Sequence, residues 1–246
     1  ASSNSYAGIS DATTWNFTAD DVTAPTITGV AVASDNTTIA VTFSEAVYTN
    51  TGTDPLVAAD FALSISGGTA TVAALPSSIS ISGNVYTLGL NFTSASPYGN
   101  GAEVLTIVPA SGTSIYDAAD NAASTSQSNN TITLNDLTPP TILNTGTLAA
   151  NNLTVAVTFS EAVYTNTGTD PLVAADFALS ISGGTATVAA LPSSISISGN
   201  VYTLGLNFTS ASPYGNGAEV LTIVPASGTS IYDAADNAAS TSQSNN

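Results

Sequence analysis

Residues 79–92 read ISISGNVYTLGLNF, in which two alternating apolar and polar runs flank the pair Gly83-Asn84. Alternation with a period of two is typical of strands that bury one face. A Gly-Asn pair between two such runs predicts a tight hairpin. The stretch therefore predicts antiparallel β-structure.

The same pattern extends in both directions from this hairpin. Segments rich in Val, Ile, Thr and Phe, bounded by Gly, Asn, Ser or Pro, predict strands. Residues 55–61 predict a single helical turn. Seven or eight short strands per repeat predict an all-β fold of tandem immunoglobulin-like antiparallel β-sandwich domains. The further predicted strands are 26–32, 38–43, 61–66, 69–75, 104–108 and 131–134.

The alternation also predicts which side chains fill the core of the first repeat. Ala40, Thr42 and Thr87 lie at the alternate positions and are expected to face water. The expected inward positions are Ile39, Val41, Phe43, Leu63, Ile65, Tyr86, Leu88, Leu90, Leu105 and Ile107.

A block of 91 residues is present twice, because residues 40–130 recur without substitution as residues 156–246. A unit of this size approaches that of an independent domain, about 100 to 150 residues. We therefore expect two domains, at residues 20–135 and 136–246, joined by short Pro-containing linkers. Residues 1–19 are expected to be either terminal strands of a preceding domain or a strand-donating segment.

The composition excludes several classes of function. The chain has no Lys, Arg, His, Cys or Met, and its 17 acidic residues give a formal net charge of −17. Nucleic-acid binding and attraction to anionic lipid both require basic residues, and no apolar run approaches a membrane span. Disulfides and the usual catalytic dyads are also excluded, so we expect no enzymatic activity. The plausible charged partner is a metal cation.

Carboxylates recur where three segments of an immunoglobulin-like sandwich meet at one pole: the linker, the end of the second strand and the loop before the last strand. Oxygen donors of this kind suit Ca²⁺, which takes six to eight ligands. The other reading is that these acids are solvated loop residues. The expected ligands are Asp21, Glu45, Asp117, Asp120 and Asn121 in the first repeat and Asp136, Glu161, Asp233, Asp236 and Asn237 in the second.

Three motifs occur in the same order in both repeats: Asp-x-Thr-x-Pro-Thr-Ile, Val-Thr-Phe-Ser-Glu-Ala-Val and Asp-Ala-Ala-Asp-Asn. In this order they resemble bacterial immunoglobulin-like repeats of very large surface adhesins, whose last motif usually reads Asp-Ala-Ala-Gly-Asn. The resemblance implies an extracellular extender module, at the cell surface, with calcium at the domain junctions. Asp120 and Asp236 stand where the family usually has Gly.

The second repeat stops at Asn246, which aligns with Asn130, so it has no counterpart of residues 131–135. Residues 15–19 precede the first linker at the place of that strand, with Phe17 aligned with Ile132. Either the chain is an excerpt of a longer array, or this segment, with Trp15 and Phe17, completes the sandwich of a neighbouring copy in a head-to-tail fibre.

Two functional classes remain open on these residues. One is a structural extender or filament whose partners are copies of the same repeat, rigidified by calcium at its joints. The other is a carbohydrate- or protein-binding adhesive module. Perfect repetition favours the extender, because a spacer needs only length whereas a recognition site normally needs one specialised copy.

Overall fold

The computed structural model describes residues 20–49, 53–143, 146–165 and 169–245. They form two compact units: one within Ala1–Ser66, Thr71–Thr93 and Val104–Thr133, the other within Gly67–Ala70, Ser94–Glu103 and Leu134–Asn246. Trp15 and Phe17, the predicted strand donors, lie outside the described residues. The predicted all-β class is confirmed, because in the described ranges the regular structure is antiparallel strand apart from two short 3₁₀ turns, Ala58–Asp60 and Ala174–Asp176.

The first unit is a sandwich of two antiparallel sheets. One sheet has the order β1-β2-β5-β4 and the other β3-β6-β7. This is the four-plus-three arrangement of the constant-type immunoglobulin fold. The strands are β1 (Ile27–Val32), β2 (Thr38–Phe43), β3 (Phe61–Ser66), β4 (Ser78–Ser82), β5 (Val85–Gly89), β6 (Val104–Pro109) and β7 (Thr131–Thr133).

The second unit repeats this plan with a narrower second sheet. One sheet has the order β11-β12-β9-β8, and the other contains β10 and β13. Over the described part of the chain, β13 pairs on one side only, whereas its counterpart β6 lies between β3 and β7. The strands are β8 (Thr147–Leu148), β9 (Thr154–Thr158), β10 (Phe177–Ser182), β11 (Ile195–Ser198), β12 (Val201–Gly205) and β13 (Val220–Pro225).

The core of the first unit lies between its two sheets. Phe43 packs edge-on against Tyr86, with ring centroids 5.5 Å apart, and Phe61 lies 6.3 Å from Phe43. Eight of the ten predicted inward positions are buried. Ile65 and Leu90 are half-buried, because they lie at or just beyond the ends of their strands. Phe159, Phe177 and Tyr202 form the same cluster in the second unit.

Two local predictions have different outcomes. The hairpin is confirmed, since Ser82 pairs with Val85 and Gly83 adopts a φ of +59° in the turn between β4 and β5. The predicted strand at 69–75 is wrong. Ala73 donates to the Asn91 carbonyl, while the next carbonyl, of Ala74, accepts from Leu63. The segment thus changes partner between the two sheets and forms no continuous ladder.

Candidate cation site and the loop beside it

Three carboxylates of the first unit meet at one pole of the sandwich. Asp21 precedes β1, Glu45 follows β2, and Asp117 lies in the loop after β6. The start of β1 and the end of β2 are paired at Ile27 and Phe43, which places the first two acids at the same end. One carboxylate oxygen from each of the three acids lies within 4.8 Å of the others. The predicted convergence of segments therefore brings these three residues together.

Asp117 is the fixed member of this cluster. It is fully buried, and its Oδ1 accepts the backbone amides of Ala119 and Asn121, each at 2.8 Å. Its Oδ2 accepts the side-chain amide of Asn121 at 2.8 Å. Burial acts to raise the pKa of Asp117, but these hydrogen bonds outweigh it and hold the pKa below its ordinary value. The loop thus presents an ionised, oriented carboxylate.

Asn121 attaches the linker to this loop. Its side-chain nitrogen also donates to the backbone carbonyl of Asp21 at 3.0 Å. The carboxylate of Asp21 in turn accepts the amide of Thr23 at 2.9 Å, which closes a local turn. Asn121 therefore positions two of the acids, and only its Oδ1 is left to serve as a ligand atom.

The second unit builds the same site from Asp136, Glu161 and Asp233, whose carboxylate oxygens also lie within 4.8 Å of one another. Asp233 is fully buried and accepts the amides of Ala235 and Asn237 at 2.8 Å. The Asn237 side chain donates to Asp233 at 2.8 Å and to the Asp136 carbonyl at 3.1 Å. Each repeat thus carries a cluster that includes one linker acid.

The electrostatics of both clusters favour an added positive charge. Burial, followed by the negative charges of Asp136 and Asp233, raises the pKa of Glu161 to about 7. Burial and the neighbouring charges of Asp117 and Asp21 raise the pKa of Glu45 in the same way. Because the chain contains no Lys, Arg or His, no side chain can supply the positive charge that would offset this repulsion, and a proton or a bound cation would do so.

Asp120 and Asp236, which were also predicted as ligands, are placed differently. Both are exposed, and neither belongs to the sets of carboxylates that meet within 4.8 Å. Their φ values are +65° and +66°, in the left-handed region that favours Gly. This conformation explains why the resembling motif has Gly here, and Asp tolerates it better than most residues.

Sequence reasoning missed Glu103, which organises the loop beside Asp136. Its carboxylate accepts the amides of Thr69 at 2.6 Å, Ala70 at 3.0 Å and Asn100 at 2.8 Å, and the residue is fully buried. A Cβ on Gly68 would collide with this carboxylate. The sequence carried one signal of this contact: the pair Gly67-Gly68 is followed, further along the chain, by an acid that stands just before a predicted strand.

The same loop holds the linker of the second repeat. Asn100 forms a β-bridge with Asp136, and the Gly99 carbonyl accepts the Leu137 amide at 3.0 Å and the Thr138 hydroxyl at 2.8 Å. All of these residues belong to the second compact unit. Within that unit, the linker acid is therefore held both by residues 99–103 and by Asn237.

No protein-family model and no curated protein matches the chain. Solved structures of the bacterial S-layer protein SbsC are similar to this chain, with low sequence identity and a low TM-score. A structure of SbsC(31-844) is 19% identical over 81% of this chain and 23% of that one, with a TM-score of 0.34. The N-terminal part of SbsC is 17% identical over 80% of this chain and 43% of that one, also at 0.34.

The chain spans less than half the length of either SbsC structure. At these scores the likeness defines no family, so the resemblance to adhesin repeats stays a prediction. Within the described residues, none of the helical segments has the length and apolar character needed to cross a membrane.

Proposed function

We propose that the chain is an extracellular structural extender of the cell surface. In this proposal each linker is fastened to its sandwich by Ca²⁺, and copies associate head to tail by strand donation. The observation that carries the proposal is the pair of equivalent three-carboxylate clusters, each of which brings a linker acid together with two acids of the sandwich. A repeated spacer benefits from a joint that is built the same way every time.

The donor set fits calcium. Every candidate ligand atom is an oxygen, which is the preference of this hard cation. Two ligands on opposite sides of Ca²⁺ lie about 5 Å apart, since each Ca–O distance is about 2.3–2.6 Å. The 4.8 Å limit on the carboxylate oxygens falls within that span. Asp21, Glu45 and Asp117 would hold one ion, and Asp136, Glu161 and Asp233 the other, with water completing each shell.

Calcium in the second cluster would also fix the direction of the linker. Asp136 is already bridged to Asn100 of the first repeat and bonded to Asn237 of the second. An ion on its carboxylate would draw Glu161 and Asp233 to the same point and remove their mutual repulsion. We therefore propose that the chain is stiffer and more extended with calcium than without it.

The proposed role is non-catalytic. The chain has no His, Cys, Lys or Arg, so a catalytic site would have to rely on carboxylates and hydroxyls. In each cluster the buried Asp accepts three hydrogen bonds within its own loop, which hold it in place and leave its Oδ2 able to accept a cation. Such a fixed position suits a structural ligand better than a group that must exchange protons.

The calcium proposal is tested by calorimetric melting of the full chain across a calcium titration. Binding at 100 times Kd adds about 2.7 kcal/mol for each site, so Tm should rise with calcium. The double variant Glu45→Gln and Glu161→Gln should lose most of this rise. The matched control is Asp54→Asn with Asp170→Asn, two exposed acids outside the clusters. Equal calcium shifts in the two variants would contradict the assigned sites.

The extender role itself is tested by shape and association. Small-angle scattering should give a larger radius of gyration in calcium than in chelator. Sedimentation velocity should show association that grows with protein concentration, and a monomer at every concentration would contradict head-to-tail assembly. Saturable binding of a sugar on a glycan array, confirmed by calorimetry, would instead favour the adhesive module.

A further inference from the structure

Among residues 20–49, 53–143, 146–165 and 169–245, β13 has a strand partner on one side only, and an apolar groove lies beside its other side. The cavity has a volume of about 230 Å³ and is lined by residues that include Leu148, Ile181, Phe208, Tyr214 and Leu221. Val220, the first residue of β13, is 59% exposed. An open strand side next to an apolar cavity is the geometry that accepts an added strand.

The first repeat shows what covers this surface, because the two 91-residue blocks are identical. There β7 pairs with β6, with Thr133 opposite Val104 and Ile132 opposite Leu105. Leu134 follows, 2% exposed, and donates its amide to the Glu103 carbonyl at 3.0 Å.

The covering strand changes the burial of identical residues. Glu103 and Leu105 are fully buried, whereas their counterparts Glu219 and Leu221 are only partly buried. In the first repeat residues 131–134 lie directly against both residues, because Ile132 pairs with Leu105 and the Leu134 amide donates to the Glu103 carbonyl. The groove of the second unit is thus shaped for a strand of that kind.

One other segment of this chain has the required pattern. Residues 16–21 read NFTADD and align without a gap to residues 131–136, TITLND. Thr18 lies nine residues before Ile27, as Thr133 lies nine residues before Ile142. In this alignment Phe17 and Ala19 take the places of Ile132 and Leu134.

We propose that residues 16–21 of a second copy occupy the groove of the second unit, antiparallel to β13. This inference rests on the proposed head-to-tail association and specifies its joint. Thr18 of the incoming copy lies opposite Val220, and Phe17 lies opposite Leu221, as in the pairing of β7 with β6. Phe17 is the main apolar anchor, since Ala19 is smaller than the Leu it replaces.

The proposed register also joins the strand to the cation cluster of the incoming copy. Asp21 of that copy takes the position of Asp136, which contacts the loop at residues 99–103. The equivalent loop of the receiving copy is residues 215–219. Docking therefore gives the more exposed acid, Asp21, the surroundings that already make Asp136 partly buried.

The register is tested by disulfide trapping in the full chain, which has no Cys of its own. The variant with Thr18→Cys and Val220→Cys places its thiols opposite each other, within the separation of about 4.4–6.8 Å between Cα atoms that a disulfide requires. Oxidation should give a ladder of linked multimers. The control, Thr18→Cys with Thr222→Cys, is out of register by two residues and should link at least tenfold less. Equal linking, or none in the first variant, would overturn the register.

The occupant is tested by filling the groove from the same chain. Addition of Thr-Ile-Thr-Leu-Asn after Asn246 should abolish association in sedimentation velocity, because the chain then supplies its own strand. The control extension, Thr-Asp-Thr-Asp-Asn, should leave association intact. Association that persists with the apolar extension would overturn strand donation while leaving head-to-tail assembly standing. Absence of association in the unmodified chain would instead overturn the assembly on which the inference rests.

Discussion

Identical glutamates in the two repeats allow one residue type to be tested in two environments. We predict that Glu103→Ala destabilises the protein much more than Glu219→Ala. Glu103 is fully buried and accepts three backbone amides. Hydrogen bonds to a charged group contribute about 1.5–3 kcal/mol each, and some water will enter the loop of the variant. The expected loss at Glu103 is therefore about 3–5 kcal/mol.

Glu219 accepts the amides of Thr185, Ala186, Asn216 and Gly217, but it is partly exposed. Water can replace its carboxylate, so the expected loss is clearly smaller. Both variants are measured by calorimetry of the full chain, at a protein concentration low enough to prevent association. Glu103→Ala should lower Tm by about 10 °C or more. An equal or larger effect of Glu219→Ala would refute the reasoning from burial.

Three further predictions concern single side chains. Amide hydrogen bonds lower the pKa of Glu219 to about 2 from its ordinary value of 4.5. The stabilisation from this carboxylate is therefore present above pH 4.5 and is lost as the pH falls towards 2. The variant Glu219→Gln should remove this part of the decrease in Tm at acid pH, and an unchanged decrease would contradict the stabilising role of Glu219. Asp120→Ala should destabilise the protein by about 1 kcal/mol because Asp120 has a positive φ, whereas Asp120→Gly should not. Both variants should keep the rise of Tm with calcium, and loss of that rise would show that Asp120 is a ligand. Tyr86→Phe should lower the free energy of unfolding by about 1–3 kcal/mol in a denaturant titration, because the hydroxyl donates to the Val47 carbonyl at 3.0 Å and accepts the Val47 amide at 3.1 Å. A loss below about 0.5 kcal/mol, which is the range of ordinary surface substitutions, would show that these two hydrogen bonds contribute little.

The sandwich was predictable because its signals are local. Alternation located β2 and β3 to the residue, and Gly83-Asn84 located the hairpin between β4 and β5. The meeting of Asp21, Glu45 and Asp117 was also predictable, since sandwich topology alone brings the linker and two loop regions to one pole. These inferences needed only strand order and the period of the pattern.

The remaining features depend on contacts between residues far apart in sequence. Residues 69–75 have a strand-like pattern, but they divide their hydrogen bonds between Leu63 and Asn91 and so leave the ladder. Glu103 resembles any loop acid until Thr69 and Ala70 are seen donating to it. Asp120 fits the predicted pattern of ligands, whereas its exposure and its positive φ are seen only in the structure.

The placement of β1 and β7 in the first unit has a mechanical consequence. Ile27 begins β1 at the pole of the acidic cluster, while Thr133 ends β7 opposite Val104, at the other pole. A pulling force between these two residues runs along the strands. The inter-strand hydrogen bonds are perpendicular to the strands, so such a force loads them together in shear. Rupture would require many bonds to fail at once, whereas peeling a strand from one end would break them singly.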